Sequence, residues 1–238
     1  VLTLDRQESY RRRYAAANEG WQPASHLYRD RVAGHLTPAT RWLDLGCGRG
    51  GVVEELRIGR AVGADPDSAS LRAHRLPDLA RVCARAEALP WPDGTFDLVC
   101  CSWVLEHLPS PAPVFAEVAR VLRPGGHFVF LTPNARHPLL VLNRLLRGGR
   151  LVGRLYGRDA ADTFPALYRA NTPERLRSLL RCAGLEAVGL WLVGDPTYLA
   201  FGEIAFRLAC GLERVTPASW RVHIVGEARR PISGTSKI

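Results

Sequence analysis

The sequence predicts an α/β protein built on one open sheet with helices on both faces, and three observations predict it. From residue 41 onward, short apolar runs alternate with stretches of helical periodicity, the pattern of repeated β-α-β units. A glycine-rich turn, "WLDLGCGRGG" at residues 42–51, joins the first apolar run to a helical stretch. "FDLVCCS" at 96–102 is apolar at nearly every position, as a strand buried on both faces must be.

Length and composition bound the architecture. A chain of 238 residues suffices for one such domain with a substantial core and demands no second. With 47% apolar and 23% charged residues it falls outside the disordered and fibrous classes. The six cysteines, at 47, 83, 100, 101, 182 and 210, make no C-x-x-C and no regular spacing, so neither a zinc site nor a disulfide framework is expected. "VLTLDRQESYRRRY" lacks an apolar leader core, and no stretch approaches the ~20 apolar residues of a membrane span. Together these features predict a cytoplasmic chain.

Taken in order, residues 1–40 place Tyr10, Tyr14, Trp21, His26 and Leu27 at helical intervals, and "HLYRDRVAGHL" reads as an amphipathic helix. They form an N-terminal helical cap whose three aromatics read as a lid or, more commonly, as core. "RWLDLG" is then a strand, "GVVEELR" a helix, "AVGADP" a strand, "SASLRAHRL" a helix and "ARVCARA" a strand. After "FDLVCCS", Val114, Phe115, Val118, Val121 and Leu122 mark a helix that Pro124, Gly125 and Gly126 stop, and "HFVFLTP" is a fifth strand. Residues 135–170 interrupt the alternation and read as an insertion. Thr172 and Pro173 are an N-cap and first-turn proline opening "PERLRSLLRCAG", which closes on Gly184. "LEAVGLWLVG" and "WRVHIVGEA" supply two last strands, with a helix in "YLAFGEIAFRLACGLERV" between them.

The glycine turn suits two ligands. Gly46, Gly48 and Gly51 match the G-x-G-x-x-G spacing of a dinucleotide site, whereas Gly46, Gly48 and Gly50 behind Asp44 suit another. A carboxylate at Asp44 repels a pyrophosphate and attracts an ammonium, and S-adenosylmethionine carries an ammonium, a sulfonium and no phosphate. Asp65 ends the second strand nineteen residues after Gly46, where an acidic residue accepts hydrogen bonds from a ribose diol. The alternative for Asp65 is a helix N-cap ahead of "SASLRAHRL".

"WLDLGCGRG", "AVGADPD", "AEALPWPDGTFDLVCCSWVLEHL" and "EVARVLRPGGHFVFLTPN" occur in that order. As a set they resemble the class I S-adenosylmethionine-dependent methyltransferases, in the broad group with a Leu-Pro-Phe/Trp turn and a Leu-Arg-Pro-Gly-Gly signature. The resemblance covers residues 41–134, with a looser match through "RANTPERLRSLLRCAGL". It implies a Rossmann-like seven-stranded sheet of order 3-2-1-4-5-7-6, the last strand antiparallel. Residues 1–238 are then one methyltransferase domain: the cap (1–40), the cofactor-binding core (41–134), the insertion or lid (135–170) and the remainder of the fold (171–238).

The resemblance also implies a cofactor site. Asp44, Gly46, Cys47 and Gly48 border the methionine moiety, Asp65 and Pro66 the ribose, and Ser102 and Trp103 lie beside the cofactor past the fourth strand. In this group an Asp four residues before the Leu of the Leu-Pro turn commonly bonds the adenine, but that position is Arg85, which accepts no hydrogen bond. Glu87, with backbone groups at Ala86 and Ala88, is the nearest substitute. Glu106 and His107 stand where acceptors approach in similar enzymes, and His107 suits general-base work near neutral pH; its alternative is a packed or solvated helix-start histidine. Related metal-assisted quinone and RNA methyltransferases carry Glu-x-x-Glu-His here. Trp103 replaces the first Glu, so no metal is expected.

The expected reaction is methyl transfer from S-adenosylmethionine to an O, N or C atom of a small-molecule or lipid-like acceptor. Net charge is +9, and residues 136–181, with ten Arg against Asp159, Asp162 and Glu174, carry seven of those charges. Interleaved with leucines, this segment reads as a lid offering apolar surface and charge to an anionic acceptor, or resting on an anionic membrane. The alternative is a solvated arginine-rich helix reflecting coding bias. An RNA methyltransferase is the runner-up, disfavoured because the arginines lack interleaved aromatics for stacking. A non-catalytic cofactor-binding subunit is the third reading.

Overall fold

The computed structural model describes residues 4–145 and 165–232. Its centre is a seven-stranded sheet of order β3-β2-β1-β4-β5-β7-β6. In chain order the strands are β1 (Arg41–Leu45), β2 (Arg60–Asp65), β3 (Ala80–Cys83), β4 (Phe96–Ser102), β5 (Leu122–Pro133), β6 (Glu186–Val193) and β7 (His223–Arg229). β7 runs antiparallel to both its neighbours, and the other pairings are parallel. Order and polarity are those the resemblance implied.

The helices are α1 (Leu4–Ala17), α2 (Ala24–Ala33), α3 (Val52–Glu55), α4 (Ser68–Arg72), α5 (Pro111–Val121), α6 (Pro138–Leu145), α7 (Pro173–Cys182) and α8 (Glu203–Val215). None is long and apolar enough to cross a membrane. Strand alternation divides the apolar residues between two faces. Leu43, Val99, Cys101, Phe128 and Phe130 pack with Phe115 and Val118 of α5 and Leu176 and Leu180 of α7. Trp42, Leu98, Cys100, Val129 and Val225 pack with Tyr28 and Val32 of α2 and Val52 and Val53 of α3.

Three elements differ from the sequence expectation, each for a local reason. α4 ends at Arg72 because the N–H groups that would extend it are captured elsewhere: Arg75 N donates to Arg49 O, and Leu76 N to His74 Nδ1. β5 begins at Leu122, ahead of its glycines, and a bulge between the Phe96 and Leu98 pairings absorbs them. A Cβ at Gly126 would lie 3.0 Å from Asp97 O, so this close strand crossing needs glycine. The helix expected from Tyr198 is instead a 3-10 turn at Pro196–Leu199 followed by α8. Thr172 caps α7 as expected, its side chain accepting from Arg175 N.

Residues 194–222 leave β6 at Val193 and enter β7 at His223, and both pair at the Pro133 end of the sheet. This connection therefore belongs to the carboxyl ends of the parallel strands. α1 is fastened to it, with Arg11 donating to Asp195 Oδ2 at 2.9 Å and the Tyr10 ring tilted against Phe206 at 4.5 Å between centroids. Tyr10 and Tyr14, with Trp21 against them, thus form a separate apolar cluster with Ala200 and Phe206. Of the insertion, α6 and residues 165–170 are described; Arg147 and Arg150 lie outside the described residues.

Candidate active site

The glycine turn is held by backbone bonds to the neighbouring strand. Gly46 N donates to Ala64 O at 2.7 Å, Cys47 N to the same oxygen at 3.3 Å, and Gly50 N to Cys47 O at 2.9 Å. Gly48 N donates to Asp65 Oδ2 at 2.9 Å. The N–H groups of Gly46, Cys47, Gly48 and Gly50 are thus turned inward, to the protein. Gly46 is held at φ +76°, and a Cβ there would meet Val104 at 2.2 Å, so the β1 turn and the segment after β4 touch through it.

Asp44 lies beneath this loop and is 2% exposed. Val53 N reaches its Oδ2 at 3.4 Å, and Oδ1 has only the Cys100 thiol at 3.9 Å. Burial pushes its carboxyl up to about 7, the Val53 and Cys100 contacts opposing only in part. A buried carboxylate with such weak partners suits a ligand ammonium. Asp65 accepts from Gly48 N and, through Oδ1, from Asp67 N at 2.8 Å. The N-cap of α4 is Asp67, which accepts from Ala69 N and Ser70 N, so the capping alternative for Asp65 is removed. Cys47 is buried, and burial pushes its thiol up to about 12. Pro66 is exposed. Glu87 is paired with Arg85 at 3.3 Å, and Ala86 packs on the core.

A profile of the methyltransferase domain matches residues 43–130. The phthiotriol/phenolphthiotriol dimycocerosates methyltransferase of Mycobacterium tuberculosis is 31% identical over 188 residues, which span 71% of this chain and 67% of that protein. The ubiquinone biosynthesis O-methyltransferase of Ralstonia nicotianae is 40% identical over 163 residues, 63% of this chain and 64% of the relative. The chain belongs to the S-adenosylmethionine-dependent methyltransferases. Its fold agrees with a solved S-adenosylmethionine-dependent methyltransferase from Mesorhizobium loti, with TM-score 0.62 at 23% identity over 87% of this chain and 98% of that one.

In this methyltransferase the segment after β4 carries a backbone outlier. Trp103 has φ +59°, a left-handed conformation costly for a bulky residue. Its N donates to Leu131 O, and its indole, 41% exposed, meets the His223 ring edge-on at 5.3 Å. His223 is buried and bonded to the Tyr198 hydroxyl at 3.0 Å, and burial pushes its imidazole down to about 4, so it is neutral. Ser102, half-buried, pairs with Leu131 at the end of β4.

Glu106 and His107 share one 3-10 turn but face different surroundings. Glu106 is buried, accepts from Thr132 Oγ1 at 3.2 Å, and burial raises its carboxyl to about 7. Asn171 in turn donates to Thr132 Oγ1, and Leu167 N and Tyr168 N donate to Glu106 O, so this turn anchors the chain as it leaves the insertion. His107 is half-exposed; Pro165 O accepts from its Nδ1 at 3.2 Å, and its Nε2 lies 3.9 Å from Glu106 Oε1. Since a carbonyl only accepts, Nδ1 carries the hydrogen and Nε2 is the basic nitrogen of the neutral ring.

Sequence reading singled out neither Tyr198 nor His223. The only forward signal was a lone histidine opening an apolar strand. Among the described residues, one group brings three metal-type donors together, and it lies elsewhere: His35, His127 and Glu227, where β5 pairs with the amino end of β4.

Proposed function

We propose that this methyltransferase transfers the methyl group to a hydroxyl of an apolar, lipid-like acceptor, with His107 as the base. The observation that carries the reading is the half-exposed Trp103 indole, held at φ +59° and backed by His223. It offers an apolar wall on the β4–β5 side, beside the turn that bears His107. Two relatives act on acceptors of compatible type: one is named for phthiotriol dimycocerosates, another is an O-methyltransferase of ubiquinone biosynthesis.

When bound, S-adenosylmethionine supplies a methyl group already activated on a sulfonium. Asp44 would hold the ammonium and Asp65, with Pro66, the ribose hydroxyls, while Gly46, Cys47 and Gly48 would offer close backbone. Glu87 and Ala86 would border the adenine, and Ser102 and Trp103 would close the acceptor side. An acceptor hydroxyl must lose its proton as its oxygen is methylated, and His107 Nε2 takes it. Glu106 is a positioning residue, tying the His107 turn to β5 and to Asn171. The other alignment and water exclusion come from the apolar walls. Residues 1–238 work as one methyltransferase domain.

The test is transfer of a labelled methyl group from S-adenosylmethionine to a bacterial lipid extract. Label should enter a lipid as an alkali-stable ether, and His107→Ala should lower kcat by roughly 10²- to 10⁴-fold without changing cofactor affinity. Label entering RNA instead, or an unchanged kcat in the variant, contradicts the reading.

A further inference from the structure

The apolar pattern of α8 does not match its packing. Phe206 and Ala209 are buried against the α1 aromatics, yet Ile204, Leu208, Leu212 and Val215 are 78%, 71%, 57% and 75% exposed. Spacings of four, four and three place these side chains in one line along a single helix face. Isolated exposed aliphatics are ordinary on a soluble surface, but a continuous row of four marks a face that something covers.

Charge selects the occupant. Arg207 and Arg214, both exposed and seven residues apart, run along one border of the row. The acidic residues of α8 are already neutralised or withdrawn: Glu203 pairs with Arg13 at 2.7 Å, and Glu213 is half-buried behind the helix. Trp220, 47% exposed, sits in the turn that follows, Ala218–Trp220. An apolar row bordered by arginines, with an interfacial aromatic nearby and a net charge of +9 behind it, is the surface of a helix that lies flat in an anionic headgroup layer.

Position connects the face to the site. α8 belongs to the 194–222 connection at the carboxyl ends of the strands; Tyr198 of that connection is bonded to His223 at the start of β7, and His223 in turn meets the Trp103 ring. We propose that the exposed face of α8 docks this methyltransferase on an anionic phospholipid bilayer, so that the acceptor enters from the membrane. The inference rests on the lipid-like acceptor reading, and it places recognition of the bilayer outside residues 135–170, where sequence reasoning had sought it.

The test is co-sedimentation of the full chain with vesicles of equal parts phosphatidylglycerol and phosphatidylcholine, and with pure phosphatidylcholine vesicles. The chain should bind the anionic vesicles at least tenfold more tightly. Ile204→Gln/Leu208→Gln/Leu212→Gln, on exposed positions, should lose binding by tenfold or more while keeping its melting temperature and its affinity for S-adenosylhomocysteine. Arg207→Gln/Arg214→Gln should remove most of the preference for anionic vesicles, roughly fivefold per arginine. Failure of the chain to bind vesicles, or equal binding by the triple variant, overturns the proposal. So does a dimer in sedimentation that only the triple variant loses, without vesicle binding, because it assigns the face to a second copy. Vesicle binding with no labelled lipid would leave the docking face standing and refute the acceptor instead.

Discussion

Asp44 and Glu227 are buried carboxylates on the same face of the same sheet, and their surroundings are opposite. Glu227 Oε1 accepts from His35 Nε2 at 3.0 Å and lies 3.2 Å from His127 Nδ1, with Arg31 3.7 Å from Oε2. Its carboxyl is held below the usual range, chiefly by the His35 hydrogen bond. Asp44 has one long backbone donor and a thiol, and burial raises it to about 7. A buried carboxylate with partners fastens the scaffold, here α2's end to β5 and β7. One without them waits for a cation from outside.

The sharpest way to break the comparison is to neutralise each carboxylate in turn. Asp44→Asn should weaken S-adenosylhomocysteine at pH 7 by about 2–4 kcal/mol, roughly 30- to 1,000-fold, measured by calorimetry. Glu227→Gln should leave that affinity within twofold and lower unfolding stability at pH 7 by about 1–3 kcal/mol, the half-exposed partners limiting the loss. Equal effects of the two substitutions on binding would erase the distinction.

Stability against pH gives smaller effects of opposite sign. The Glu227 carboxyl is depressed, so its contribution is present above the ordinary carboxylate value and is lost as pH falls through its lower folded value. The deficit of Glu227→Gln in urea melts should therefore shrink below pH 4. The Asp44 carboxyl is raised, so its contribution is present at low pH and is lost as pH rises through about 7. Asp44→Asn should accordingly match the parent near pH 4 and exceed it at pH 8.

Much of this was legible in the sequence because it is local. A tight turn fixes its glycines within a few residues of Asp44, so that loop could be placed directly, whereas Asp65 lies nineteen residues after Gly46 and the strand order followed from the family the motifs resemble. What escaped reading is held by distant pairs. Arg11 meets Asp195 across 184 positions, and Tyr198 meets His223 across a helix whose presence gave no hint of their contact. The left-handed Trp103 carries no sequence signal, since bulky residues seldom adopt that conformation. Glu106 was legible as a polar group beside His107 but not as the buried partner of Thr132, because a strand's end and a loop return converge there.

The central claim is that Asp44 receives the cofactor's ammonium, and the pH dependence of binding tests it most directly. Below about pH 7.7 a ligand α-amino group stays protonated, so between pH 5.5 and 7.0 the titration of Asp44 controls the contact. S-adenosylhomocysteine should bind the parent chain about tenfold more tightly at pH 7.0 than at pH 5.5, and Asp44→Asn weakly and equally at both. Equal affinity of the parent at the two pH values, or the same pH dependence in the variant, would contradict the account.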